Sequence, residues 1–154
     1  MAEKQEKDFM IIRKSKIALL LLLVACSTDP VDDPIPIVPF QDIVINLSLP
    51  EYFSLQQDKG FKLLNNGGVR GIILYRQSST SYIAYERNCS LQPNDACATV
   101  DVHSSGLFMI DPCCTSSFDF VTGDPTGGPA WRPLRRYRTQ YQNNTLTITD
   151  EIIN

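Results

Sequence analysis

The chain has 154 residues, a length that suggests one domain, with 43% hydrophobic, 9% aromatic and 20% charged residues, ten prolines and eight glycines. That composition excludes a disordered, collagen-like or coiled-coil chain. A formal net charge of −3 excludes a surface dominated by lysine and arginine, so no nucleic-acid partner is expected.

Five of the fourteen basic side chains, Lys4, Lys7, Arg13, Lys14 and Lys16, fall within residues 1–25. They precede the apolar run Ile17–Ala25, which is shorter than the ~18 residues a membrane-spanning helix needs. A basic segment followed by a short apolar one reads as a secretory signal. Its end, Leu23-Val24-Ala25-Cys26, resembles the lipobox of bacterial lipoproteins. The resemblance implies cleavage before Cys26 and acylation of that cysteine. Several acyl chains give stable anchoring where a single one does not. The expected location is therefore the bacterial cell envelope, lipid-anchored at the outer membrane, periplasmic or surface-exposed. The membrane and an unidentified envelope protein are the expected partners. Removing residues 1–25 lowers the basic count from 14 to 9 and the acidic count from 17 to 14, so the mature charge is −5.

Residues 26–39 form the next segment, with Asp29, Asp32 and Asp33 among Pro30, Pro34, Pro36 and Pro39. Proline at that density favours an extended, semi-rigid tether. The acidic residues are similar to export signals beside the lipid cysteine of some surface lipoproteins, and a solvated linker explains them equally well.

Residues 40–154 make one domain. Ile43–Leu49 is β-branched and partly alternating, and Gly60–Leu64 reads as a short strand before the turn Asn65–Gly68. Val69–Arg76 and Tyr82–Glu86 flank a probable hairpin turn at 77–81, and Ala98–His103 and Leu107–Ile110 flank Ser104–Gly106. Leu134–Gln142 and Thr145–Thr149 meet at Asn143-Asn144, residues that tolerate positive φ in tight turns. No segment carries helical periodicity over three turns. Many short strands with frequent turns predict an all-β fold of small antiparallel sheets, a sandwich or barrel.

Beyond Cys26, four cysteines remain: Cys89, Cys97, Cys113 and Cys114. An even number in an exported protein makes disulfides the default, with three connectivities open. Each pair of cysteines follows a predicted strand, so each marks a loop. A four-cysteine zinc or iron–sulfur site would have to use Cys89 and Cys97 with adjacent Cys113 and Cys114, without the usual Cys-x-x-Cys knuckles. A vicinal redox pair at Cys113 and Cys114 would be strained, with no thioredoxin-like pattern around it.

The segment Asp111-Pro-Cys-Cys-Thr-Ser-Ser-Phe-Asp119, with Gly123, Gly128-Pro-Ala130, Pro133-Leu134 and Tyr137, resembles the second box of Rieske iron–sulfur domains. Cys89-Ser90-Leu91, with Cys97 downstream, is similar to the first box. The likeness spans roughly residues 67–149. A Rieske [2Fe–2S] cluster takes two cysteines on one iron and two histidines on the other. The resemblance places Cys89, Leu91, Asp111 and Cys114 at those four positions, so only one ligand is retained. It implies a vestigial cluster site with no cofactor, the alternative being an atypical [2Fe–2S] centre. It also implies two loop-to-loop disulfides, Cys97–Cys113 and Cys89–Cys114, holding the two cysteine-bearing loops together. No catalytic residue is indicated. A binding or structural role follows, with electron transfer and thiol–disulfide exchange as the rival readings.

Several other features have plainer explanations. His103 matches neither histidine position and reads as a partly exposed strand residue. Arg132, Arg135, Arg136 and Arg138 form the one basic patch, with Arg136 and Arg138 on one strand face and Arg135 and Tyr137 on the other. It reads as a solvated face rather than an anion site. Trp131 reads as a core residue before an exposed anchor. Gly67-Gly68 and Gly127-Gly128 are turn glycines, and Asp111, Asp119 and Asp124 suit turn and hydrogen-bonding roles.

Overall fold

The computed structural model describes residues 33–154; the signal segment, Cys26 and the first part of the predicted tether lie outside the described residues. Ten strands follow in chain order: β1 (Ile43–Asn46), β2 (Phe61–Leu64), β3 (Ile72–Arg76), β4 (Tyr82–Glu86), β5 (Asp101–Val102), β6 (Met109–Asp111), β7 (Ser116–Phe118), β8 (Pro125–Gly127), β9 (Arg136–Gln142) and β10 (Thr145–Ile152). They form two antiparallel sheets. One has six strands in the order β1-β10-β9-β4-β3-β2, and the other has four in the order β5-β6-β7-β8. The all-β expectation holds. A 3₁₀ segment over Pro50–Gln56 was not apparent in the sequence; proline at its start presets φ, and Leu55 inside it is fully buried.

Strand alternation divides the core. On β3 and β4 the residues Ile73, Tyr75, Ile83 and Tyr85 face one apolar cluster with Met109, Phe118, Phe120 and Leu134. Their neighbours Ile72, Leu74, Tyr82 and Ala84 face another with Ile45, Leu55, Leu146 and Ile148. Both faces of these two central strands are therefore covered, which is why their sequences read as nearly continuous apolar runs. The β9–β10 hairpin turns on Asn143 and Asn144, both at positive φ, as their side-chain chemistry allows.

One buried carboxylate ties the larger sheet to the loops beside it. Glu86, at the end of β4, is fully buried. It accepts hydrogen bonds from the backbone N–H groups of Val69 (2.8 Å), Arg70 (3.1 Å) and Asn88 (2.9 Å) and from the Tyr137 hydroxyl (2.7 Å). Burial, then the bond to Glu86, pushes the Tyr137 hydroxyl pKa upward, so the phenol stays protonated and donating. Gly68 sits against this carboxylate at φ +65°, and a Cβ there would meet Glu86 Oε2 at 2.1 Å. Only glycine satisfies both conditions.

Part of the predicted tether lies on the domain. Arg132 donates to the Asp33 carbonyl (2.9 Å), and Arg135 donates to the carbonyls of Ile35 (2.7 Å) and Pro36. Asn94 donates to the Asp33 carboxylate at 3.3 Å. The arginine patch is thus no uniform solvated face. Its two loop members hold an extended proline-rich strap, whose carbonyls lack strand partners and so accept from guanidinium. Arg138 pairs instead with Glu151.

Glu86→Gln removes the charge that four donors share and is expected to lower stability by about 2–4 kcal/mol. Urea denaturation followed by intrinsic fluorescence, at unchanged m-value, measures it. The backbone amides of Thr122, Val121 and Phe120 hold the Asp119 carboxyl below its usual range. A depressed folded value means the stabilisation is present above the unfolded value of ~3.9 and is lost as pH falls through the folded one. Asp119→Asn should therefore flatten the acid limb of a stability–pH profile below about pH 4 and leave the neutral limb parallel to that of the parent.

Candidate metal centre

Three loops converge beyond the ends of β4, β6 and β8. The first, residues 87–100, leaves β4 and closes on itself through the Asn88–Thr99 bridge and the Cys89 N–H bond to the Ala98 carbonyl (3.1 Å). Arg70 fixes it from below. Its guanidinium donates to Asn88 Oδ1 (2.5 Å), the Ala96 carbonyl (2.9 Å), Thr99 Oγ1 (3.3 Å) and the Asp95 carbonyl (2.5 Å). The second loop is the β6–β7 turn. Asp111 Oδ1 accepts the Cys113 N–H at 2.8 Å, and Thr115 closes the turn at φ 60°. The third, 128–134, presses on the second, because the Ala130 N–H donates to Ser116 Oγ at 3.0 Å. Gly128 permits that approach: at φ +80°, a Cβ there would lie 2.5 Å from the Ser116 Cα. Ser90 and Arg132 then join the first loop to the third through paired bonds of 2.7 and 2.6 Å.

A disulfide, Cys97–Cys113, joins the first two loops. This is the pairing that the Rieske resemblance implied. Both its cysteines are exposed, so it sits on the solvent side of the loops.

Beneath it lie Cys89, Asp111 and Cys114, whose donor atoms are all within 4.8 Å of one another. Cys89 and Asp111 are buried (0% and 1% exposed) and Cys114 is half-buried. Cys114 Sγ is 3.4 Å from Asp111 Oδ2 and 3.1 Å from Ser116 Oγ. Burial, and then the hydrogen bond to Asp111, push the Cys89 thiol pKa upward, while the Leu91 backbone N–H opposes them by hydrogen-bonding the sulfur. Cys89 is consequently a neutral thiol near neutral pH in the state described.

The expected second disulfide, Cys89–Cys114, is not formed in the structure. The two sulfurs are 3.9 Å apart and both are free thiols, against the ~2.05 Å of a disulfide. The physical reason is Asp111. The Cys114 thiol is engaged by its carboxylate and by Ser116 Oγ and is not bonded to Cys89. Reading Asp111 only as a lost cysteine overlooked that a carboxylate is still a donor. A metal site need not use all four cysteines. The structure selects two of them with an aspartate, and sequesters the other two in a disulfide.

The residues present do not make a Rieske ligand set. Leu91 packs against the core and offers no donor atom, and the three donors present are two sulfurs and a carboxylate instead of two sulfurs and two imidazoles. His103 lies elsewhere, stacked on Phe108 with ring centroids 4.2 Å apart and its Nδ1 2.8 Å from Ser105 Oγ. Trp131 is half-exposed (50%) rather than a core residue. The Arg132 guanidinium lies 5.0 Å from its ring centroid and shares the polar environment of the strap.

No protein-family model and no curated relative matches the chain. Among solved structures, the chain is similar to one in the complex of reduced oxygenase and oxidized ferredoxin in carbazole 1,9a-dioxygenase, at 18% identity and TM-score 0.47, over 64% of this chain and 87% of that one. It is also similar to the ferredoxin of carbazole 1,9a-dioxygenase from Nocardioides aromaticivorans IC177, at 18% identity and TM-score 0.42, over 62% of this chain and 88% of that one.

Intact-mass analysis after thiol alkylation should find one disulfide and two labelled cysteines beyond Cys26. Replacing Cys97 and Cys113 together with serine should cost about 3 kcal/mol in chemical denaturation, as befits a bridge spanning 16 residues.

Proposed function

We propose that this protein is a lipid-anchored component of a bacterial envelope, held by acyl groups on Cys26, whose Rieske-like domain has lost its [2Fe–2S] cluster and serves a binding or structural role. The observation that carries the proposal is the composition of the cluster position: an apolar Leu91, a buried Asp111 and two sulfurs 3.9 Å apart. Two irons bridged by sulfide need two donors each, and among the described residues three side-chain donors converge here. The loops need no cluster to hold them together, because the Cys97–Cys113 disulfide, Arg70 and the Ser90–Arg132 pair already do so. The lipobox and the proline-rich segment after it support the anchoring. Fold likeness alone would not assign an activity, since function follows the site.

A thiol–disulfide role is the one competing reading with an observation in its favour, the pair of free thiols at Cys89 and Cys114. Cys89 is fully buried and its thiol is held protonated, which opposes the thiolate character that exchange requires.

Expression of the full chain in a bacterium with labelled palmitate should give a labelled membrane-bound protein, and Cys26→Ser should abolish the label. An unlabelled, cleaved protein in the soluble fraction contradicts the anchoring. Anaerobically purified chain should lack visible charge-transfer absorption, iron and acid-labile sulfide. Two irons and two sulfides per chain would establish an atypical cluster instead.

A further inference from the structure

We propose that Cys89, Asp111 and Cys114 together bind a single thiophilic divalent cation of the zinc type, with one coordination position left for water or an added ligand. The inference rests on the reading above, that the position no longer holds a two-iron cluster.

Distance is the first argument. A tetrahedral zinc ion with Zn–S bonds of ~2.3 Å holds its two sulfurs about 3.8 Å apart. The two sulfurs here are separated by 3.9 Å, and the carboxylate oxygen falls in the same cluster, within 4.8 Å of both. The spacing is the one that a single ion shared by both sulfurs requires.

Charge is the second. Asp111 is a carboxylate only 1% exposed; it accepts from the Cys113 N–H and the Cys114 thiol, with Cys89 Sγ in the same cluster. Thiols are weak donors, and among the described residues no ion pair compensates this carboxylate. Buried carboxylates are ordinarily paired or bound to metal. A disulfide between Cys89 and Cys114 would remove the thiol donor and leave Asp111 with the one backbone bond. A divalent ion satisfies all three groups at once, each thiol giving its proton to solvent as the bond forms.

The surroundings are the third. Metal ligands are held by outer groups that fix their orientation. Asp111 Oδ1 is fixed by the Cys113 N–H, which leaves Oδ2 toward Cys114. Ser116 Oγ is fixed by the Ala130 N–H and sits 3.1 Å from Cys114 Sγ, where its hydroxyl proton can serve a metal-bound thiolate. As a thiol, Cys114 has one proton for two acceptors; as a thiolate it needs none. Two thiolates with one carboxylate suit zinc better than magnesium or calcium, which take oxygen donors. Leu91, in place of a fourth ligand, leaves three protein donors, the number found in zinc sites that keep an open position.

The test uses the full chain, stripped with a chelator under reducing conditions too mild to open Cys97–Cys113, then titrated with Co²⁺ and Zn²⁺. One Co²⁺ per chain should bind with intense thiolate-to-cobalt absorption and be displaced by one Zn²⁺. Asp111→Asn should weaken Zn²⁺ binding by about 100-fold or more, beyond the ~10–100-fold that loss of a supporting group costs. Leu91→His, which offers a fourth donor, should tighten it by about tenfold, so the proposal stays testable should Asp111→Asn not fold. His103→Ala should change nothing. Failure to bind either ion, binding without thiolate absorption, or a second disulfide by intact mass would each overturn the inference while leaving the cluster-loss reading intact. Iron and sulfide in the chain as isolated would overturn that reading first.

Discussion

The placement of the cysteine loops depends on a single buried carboxylate. Glu86 terminates the central strand β4 and gathers donors from both sides: two successive amides at 69–70, the Asn88 amide at the root of the first loop, and the Tyr137 hydroxyl from β9. A carboxylate with 0% exposure is tolerable only with its oxygens satisfied. Its four bonds therefore fix the backbone of Arg70, and Arg70 in turn fixes the loop from Asn88 to Thr99 through four bonds of its own. The chain from Glu86 to Arg70 to Cys89 is continuous.

A second buried carboxylate, Asp111, has the opposite character. Where Glu86 is saturated by strong donors, Asp111 faces one amide and two thiols. The two acids lie at the ends of neighbouring structural problems, one solved by the fold and the other left for a ligand. Leu91 offers no donor, yet two sulfurs and a carboxylate converge in this cluster and are held by an amide and a hydroxyl.

Much of this was legible in the sequence. Tyr82–Glu86 reads as a strand because alternation places large apolar residues on both of its faces, and the boundaries coincide with those of β4. The hairpin at Asn143-Asn144 is legible from two side chains that accept positive φ. Strands β7 and β8 were not, because three residues rich in serine or glycine carry too little period to register. The Cys97–Cys113 staple followed from the family likeness of the second box. The rest turned on partners distant in the chain. Nothing in the sequence of Arg132 or Arg135 says that a strap about 100 residues upstream will lie across them, and nothing around Trp131 says that its ring will meet Arg132 in solvent instead of the core. Asp111 was visible as a departure from the pattern the segment resembles, but its worth as a donor depends on two thiols brought near it by different loops.

X-ray absorption on the protein recovered from its own cells tests the central claim most directly. A zinc-edge spectrum with two sulfur neighbours at ~2.3 Å, lighter oxygen neighbours at ~2.0–2.2 Å and no second metal atom nearby is the predicted result. An iron edge with an iron–iron neighbour and bridging sulfide would contradict it.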